Sequence, residues 1–248
     1  MRFTTRCVLA AGLAVAVVAT ADAQQRRQGG GFGGGMFGGG GVYGMVAQNK
    51  DLQAELKVTD EQKAKLEEAM KPINEARREM FQGFTPGQPP SEEQQKEMRE
   101  KMAKMTADTR KAVEGVLTAD QTKRLTQINY QFLGVNAFAN EDVQKELKLT
   151  DGQKEKVKGI ADEYAKDNRE LMQGGFRFRP GQAPSDEDRK KMEETRKKGE
   201  ALRKDALEKI QEVLTDDQKT AWKGMVGEKF DTSKLTPGFG GGRPRRDN

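Results

Sequence analysis

The chain repeats itself, and the repeat limits what it can become. Asn49-Lys50-Asp51-Leu52-Gln53-Ala54-Glu55-Leu56-Lys57-Val58-Thr59 returns 91 positions later as Asn140-Glu141-Asp142-Val143-Gln144-Lys145-Glu146-Leu147-Lys148-Leu149-Thr150. The match runs on to Gln82-Gly83 and Gln173-Gly174. It then slips by three residues, setting Pro86-Gly87-Gln88 against Pro180-Gly181-Gln182. A second slip of three sets Leu117-Thr118 against Leu214-Thr215. Self-similarity over this length implies two copies of one supersecondary unit. The insertions fall near a turn and inside a helix, where a duplicated helical unit tolerates them.

Each copy carries the same short pattern twice: Val58-Thr59-Asp60-Glu61-Gln62 with Leu117-Thr118-Ala119-Asp120-Gln121, and Leu149-Thr150-Asp151-Gly152-Gln153 with Leu214-Thr215-Asp216-Asp217-Gln218. Thr followed three residues later by Gln is a capping box. The Thr hydroxyl accepts from the Gln backbone N–H, and the Gln side chain reaches back to the Thr N–H. Thr59, Thr118, Thr150 and Thr215 therefore each open a helix, with Gln62, Gln121, Gln153 and Gln218 as their capping partners. The first and third boxes start long helices, expected over Asp60–Gln82 and Asp151–Gln173. Apolar residues recur there at spacings of three and four: Leu66, Met70, Ile73 and Met80, then Val157, Ile160, Tyr164 and Leu171. Pro72 is expected to kink the first of these, because it removes one backbone hydrogen bond.

Pro- and Gly-dense turns end both long helices. Ser91-Glu92-Glu93-Gln94 and the weaker Ser185-Asp186-Glu187-Asp188 then cap a third helix in each copy. Met98, Met102, Met105, Ala112, Val113 and Val116 form the apolar stripe of one third helix, and Met192, Leu202, Ala206, Ile210 and Val213 that of the other. Fourth helices follow Thr118 and Thr215 and present Leu125, Ile128, Phe132 and Leu133, or Trp222, Met225, Val226 and Phe230. Asn49 and Asn140 are N-cap candidates for a short helix ahead of each first box. The expected fold is all-α: two tandem four-helix units, each a long helical hairpin with short end helices, over residues 49–134 and 140–231.

The flanks read differently. Residues 1–23 have Arg2 and Arg6, an apolar run from Cys7 to Ala19 and an Ala21-Asp22-Ala23 cleavage site, the pattern of a secretory signal peptide. That would export the mature chain from the cytoplasm. The apolar run is too short to span a bilayer, so no membrane span is expected after cleavage. Residues 24–48 read as a Gly-rich linker and residues 232–248 as a Gly- and Arg-rich disordered tail.

The sequence holds no histidine and a single cysteine, Cys7, inside the signal segment. The mature chain thus lacks the usual general bases, nucleophiles and soft-metal ligands. Residues 42–139 carry 15 basic and 15 acidic side chains, and residues 140–242 carry 22 of each. A neutral body with interleaved charges describes solvated helix faces, not the basic surface that nucleic acid requires. Adjacent carboxylates such as Glu67/Glu68 point about 100° apart on a helix and make no acid–base dyad. The Gly-rich ends lack the context of a phosphate loop. The sequence points to no enzyme, no catalytic residue, no cofactor and no metal site built on His or Cys.

Two features suit binding. Met98, Met102 and Met105, with Met70 and Met80 opposite, supply flexible, polarizable side chains that accommodate varied partners, although a Met-filled seam between helices has the same pattern. Phe84 in one turn, and Phe176, Arg177, Phe178 and Arg179 in the other, would place aromatic and cationic groups at the hairpin tips.

The paired Leu-Thr-x-x-Gln boxes, around a long charged hairpin behind a signal peptide, resemble the Spy/CpxP family of periplasmic proteins. The resemblance covers residues 49–134 and 140–231, as a tandem duplication of what is one unit in the family, with Val58 in place of the first Leu. It implies thin, cradle-shaped helical dimers that hold unfolded clients without ATP. The duplication would let the two units pack as an intrachain pseudo-dimer, with self-association between chains also open. The function implied is an exported ATP-independent holdase or envelope-stress protein binding unfolded or misfolded exported proteins. The alternatives are a structural or regulatory module that binds one folded envelope protein, and a metal-responsive periplasmic protein that would have to use carboxylates.

Overall fold

The structure, a computed structural model, describes residues 41–82, 91–173 and 185–235. Helices α1 (Gly41–Met45) and α2 (Lys50–Glu55) precede a hairpin of α3 (Asp60–Gln82) and α4 (Glu92–Glu114). Helix α5 (Ala119–Leu133) leads through a 3-10 helix, Gly134–Ala139, into the second copy. There α6 (Glu141–Glu146), α7 (Asp151–Gln173), α8 (Asp186–Val213) and α9 (Asp216–Val226) repeat the order of α2 to α5, and a 3-10 turn, Thr232–Leu235, closes the described chain. The fold is all-α, and no strand occurs among the described residues.

The caps act where the sequence places them. Asn49 accepts from Leu52 N–H and Asn140 from Asp142 N–H, opening α2 and α6. Ser91 and Ser185 form capping boxes at α4 and α8. Each short helix then ends in a left-handed residue, Lys57 at φ 53° and Lys148 at φ 51°. Their N–H groups donate to Ala54 O and Lys145 O, while Val58 and Leu149 donate to Gln53 O and Gln144 O. That is a Schellman ending, built on lysine where glycine is usual. Helix α3 runs through Pro72 without a break.

Two apolar clusters form the core. The first centres on Leu52, Leu66, Val113, Leu125 and Ile128, all fully buried. The second holds Phe138, Val143, Leu147 and Ile210 with Trp222. Phe138 packs on Trp222 with ring centroids 4.4 Å apart, and Tyr130 of α5 lies 6.1 Å from the same indole. Charged side chains line the helix surfaces in i,i+3 and i,i+4 pairs, such as Lys65–Glu61 at 2.7 Å and Lys158–Asp162 at 2.7 Å. Such exposed pairs contribute little each and keep the long helices in water.

Three expectations are corrected. Residues 41–48 are not linker: Val42, Tyr43, Val46 and Ala47 are buried in the first cluster, and α1 packs against α4 and α5. Tyr43 is fixed by a 2.7 Å hydrogen bond between its hydroxyl and Thr126 Oγ1, with Arg110 5.7 Å over its ring. Residues 232–235 are not tail either, because they form the closing 3-10 turn and Leu235 is only 2% exposed. Phe230 is not presented by the last helix, which stops at Val226. It lies beyond Gly227 and is buried in the first cluster, not the second. The signal segment, the rest of the Gly-rich segment and the residues after 235 lie outside the described residues.

The chain crosses between its two halves in both directions. After α5, Val135, Ala137 and Phe138 enter the second cluster, and after α9, Phe230 and Leu235 enter the first. Gly134 and Gly227 make these departures at φ 56° and 58°. A Cβ at Gly134 would meet the Arg203 guanidinium, and one at Gly227 would meet the Gln127 amide. Both positions thus favour glycine for conformation, and a side chain there would also displace the flexible end of Arg203 or Gln127. Gln131 secures the second crossing: its amide N–H groups reach Val226 O and Glu228 O at 2.6 and 2.7 Å, and its Oε1 accepts Phe230 N–H at 2.8 Å. Arg124 adds a 2.8 Å bond to Glu228 O and a 2.7 Å ion pair with Glu55.

Candidate functional site

The four Thr-x-x-Gln boxes form as caps. Gln62, Gln121, Gln153 and Gln218 accept the Thr N–H through Oε1 at 3.1, 2.9, 3.1 and 2.9 Å. Each Thr hydroxyl accepts the Gln N–H at 3.2 or 3.3 Å. The Gln amides do more than cap. Gln62 Nε2 donates to Gln121 Oε1 at 2.8 Å, and Gln121 Nε2 donates back to Gln62 Oε1 at 3.1 Å. Gln153 and Gln218 pair in the same way, at 2.8 and 3.1 Å. The remaining amide donors take Val116 O and Leu56 O at 3.2 and 3.0 Å in the first unit, and Val213 O and Leu147 O at 2.9 and 3.0 Å in the second.

Every hydrogen-bonding position of these amides is thereby used. In the first unit one pair ties the end of α2, the start of α3, the end of α4 and the start of α5. The pair is a structural knot with no titratable proton, and these eight residues hold the hairpin base. At Ser91, Gln94 caps α4 without a second amide among the described residues.

The candidate binding residues separate. Met105 is only 7% exposed and belongs to the first core cluster, whereas Met98 and Met102 are half-buried along α4. Phe84, Phe176, Arg177, Phe178 and Arg179 lie outside the described residues. Sequence reasoning set Met80 opposite Met105 but missed the groove of about 600 Å³ between α3 and α4, floored by Ile73, Met80 and Met105. Ala69, Ala76 and Ala112 leave it open, and Glu79, Lys104 and Asp108 stand on its rim. That volume lies within the ~300–1,000 Å³ of pockets that take drug-sized groups. The readable signal was the run of alanines on the inner faces of two helices that otherwise carry Leu, Ile and Met.

Electrostatics in the described body are structural. Burial raises the Tyr43 pKa above the usual phenol value, against the opposing Thr126 hydrogen bond and nearby Arg110. The carboxyls of Glu61 and Glu97 are held below the usual range by hydrogen bonds from Lys65 and Lys101. Among the described residues no three acidic, His or Cys side chains converge in a way that could hold a metal ion. No helix among them is long and apolar enough to cross a membrane.

A family model described as a domain of unknown function (DUF4890) matches residues 138–222. The match covers about a third of the chain, from Phe138 through α6, α7 and α8 to Trp222 of α9, and includes both boxes of the second copy. No curated protein and no solved structure matches the chain.

Proposed function

We propose that the protein is an exported, ATP-independent holdase that binds unfolded polypeptides in the bacterial envelope. The observation that carries this reading is the α3/α4 groove: an apolar floor with Met80 and Met105, bordered by charges of both signs and open to solvent. Methionine adapts to varied partners without a fixed shape, which suits a binder of many sequences. The paired Thr-x-x-Gln boxes and the resemblance to the Spy/CpxP family support the same reading, as does the signal-like N-terminus for export. The exchange of Phe138 and Phe230 between the two clusters supports an intrachain counterpart of that family's dimer.

The test is suppression of aggregation. The mature chain, at near-stoichiometric ratio and without nucleotide, is expected to slow aggregation of several unrelated denatured proteins. Absence of an effect on every one of them rejects the holdase. Protection of a single protein only would favour a module that recognises one partner.

A further inference from the structure

The two hairpins of the repeat have diverged at one place. Ala69, Pro72 and Ile73 on α3 correspond, 91 positions on, to Ile160, Glu163 and Tyr164 on α7. Met105, Asp108 and Ala112 on α4 correspond, 97 positions on, to Leu202, Asp205 and Lys209 on α8. The second set leaves a space of only about 10 Å³ where the first leaves about 600 Å³. The residue types account for this. Ile160 and Tyr164 are larger than Ala69 and Ile73, and they fill the seam. Lys209 then reaches Glu163 at 3.7 Å and Asp205 at 3.0 Å, clasping α7 to α8.

The first hairpin has no clasp, because Pro72 and Ala112 stand where Glu163 and Lys209 would be. Asp108, the counterpart of Asp205, is left without an ion-pair partner among the described residues, as are Glu79 and Lys104 on the same rim. An apolar trough bordered by uncommitted charges of both signs excludes some occupants. A fatty acid could pair its carboxylate with Lys104 but would leave Glu79 and Asp108 unmatched, and a cationic amphiphile would do the reverse. A stretch of polypeptide with charged residues of both signs beside its apolar ones suits all three rim groups.

We propose that, of the two hairpins, the α3/α4 groove is the seat for an extended polypeptide segment. It takes one or two large aliphatic or aromatic side chains on Ile73, Met80 and Met105. Basic neighbours in the segment face Glu79 and Asp108, and acidic ones face Lys104. The α7/α8 hairpin is the closed copy and binds none. This rests on the unfolded-chain reading above and assigns it to one of the two hairpins.

The test is methyl NMR of the mature full-length chain carrying 13C-methyl methionine, titrated with reduced, carboxymethylated α-lactalbumin, a chain without a stable fold. The Met80 and Met105 signals are expected to shift saturably while those of Met172, Met192 and Met225 stay in place. Pro72→Glu with Ala112→Lys rebuilds the clasp and is expected to weaken the titration about tenfold or more. Ala69→Ile, which fills the groove from inside, is the second variant and is expected to weaken it likewise. Helix content by circular dichroism confirms that each variant is folded.

Unmoved Met80 and Met105 signals overturn the assignment, as does a folded clasp or filled variant that binds like the parent. Shifts in the second hairpin of equal size also overturn it. Shifts at Met80 and Met105 without suppression of aggregation would reject the holdase and leave the groove standing. Suppression with those signals unmoved would do the reverse.

Discussion

Replacing Gln121 by Ala should cost far more than removing a helix cap. Its Oε1 accepts from Thr118 N–H at 2.9 Å and from Gln62 Nε2 at 2.8 Å, and its Nε2 donates to Leu56 O at 3.0 Å and Gln62 Oε1 at 3.1 Å. A net hydrogen bond contributes about 0.5–1.5 kcal/mol, and a partly buried partner left unsatisfied adds to the loss. Water reaches this half-buried site and recovers part of it, so the expected cost is about 2–3 kcal/mol. For a chain of this size that lowers the melting temperature by roughly 4–12 °C. Gln62→Ala should cost about the same. Because two of the bonds are shared between the two side chains, the double variant should fall short of the sum by about 1–2 kcal/mol. Gln94→Ala is the control, since it removes a capping partner that faces no second amide among the described residues, and about 0.5–1 kcal/mol is expected. Urea unfolding followed by circular dichroism measures all four variants. Equal costs at Gln94 and Gln121, or strict additivity of Gln62 and Gln121, would show that the amide pair adds nothing to the caps.

Lys57 and Lys148 hold left-handed backbone at φ 53° and 51°, which favours glycine. Lys57→Gly and Lys148→Gly should therefore each raise stability by up to about 1 kcal/mol; a loss of stability at either site would contradict the strain. Tyr43 supplies a pH dependence at the alkaline end. Burial raises its folded-state pKa above 10.0, so its contribution is complete below the unfolded phenol value and is lost as pH rises through the folded one. Tyr43→Phe should flatten the decline of melting temperature above pH 10, and an unchanged slope would place that decline elsewhere.

The long helices were legible because their signals are local. Boxes at Thr59 and Thr150 fix where α3 and α7 start, and the Pro- and Gly-rich sequences that follow signal their ends, so the expected spans agree with the observed Asp60–Gln82 and Asp151–Gln173. The ends of the folded body were not legible from composition. Val42, Tyr43 and Val46 follow a run of glycine, and a window average assigns them to the linker. Their burial depends on α4 and α5, which come some sixty to ninety residues later in the chain. Phe230 and Leu235 were harder, because what buries them is the first copy, and no pattern near residue 230 announces that.

The knot at the hairpin base could have been deduced by counting donors. A capping box needs only an acceptor from the third residue of the helix, and Glu would serve there with the helix dipole in its favour. The chain uses Asp at the Ser185 box and Gln at the Ser91 box, whereas all four Thr boxes carry Gln. A Gln that caps through Oε1 still has two N–H groups to satisfy, and at a half-buried hairpin base those groups need protein partners. The pairing of Gln62 with Gln121 and of Gln153 with Gln218 supplies them. A carboxylate at either member would lose the donated bonds and face a carbonyl oxygen with negative charge. Gln121→Glu is therefore expected to be less stable than Gln121→Ala at neutral pH, and to recover as the solution is acidified and the new carboxyl regains a proton to donate. The hairpin base is thus fixed identically in both copies by amides that carry no charge. That rigidity leaves the inner faces above it free to differ, open beside Ala69 and Ala112 and closed beside Ile160 and Lys209.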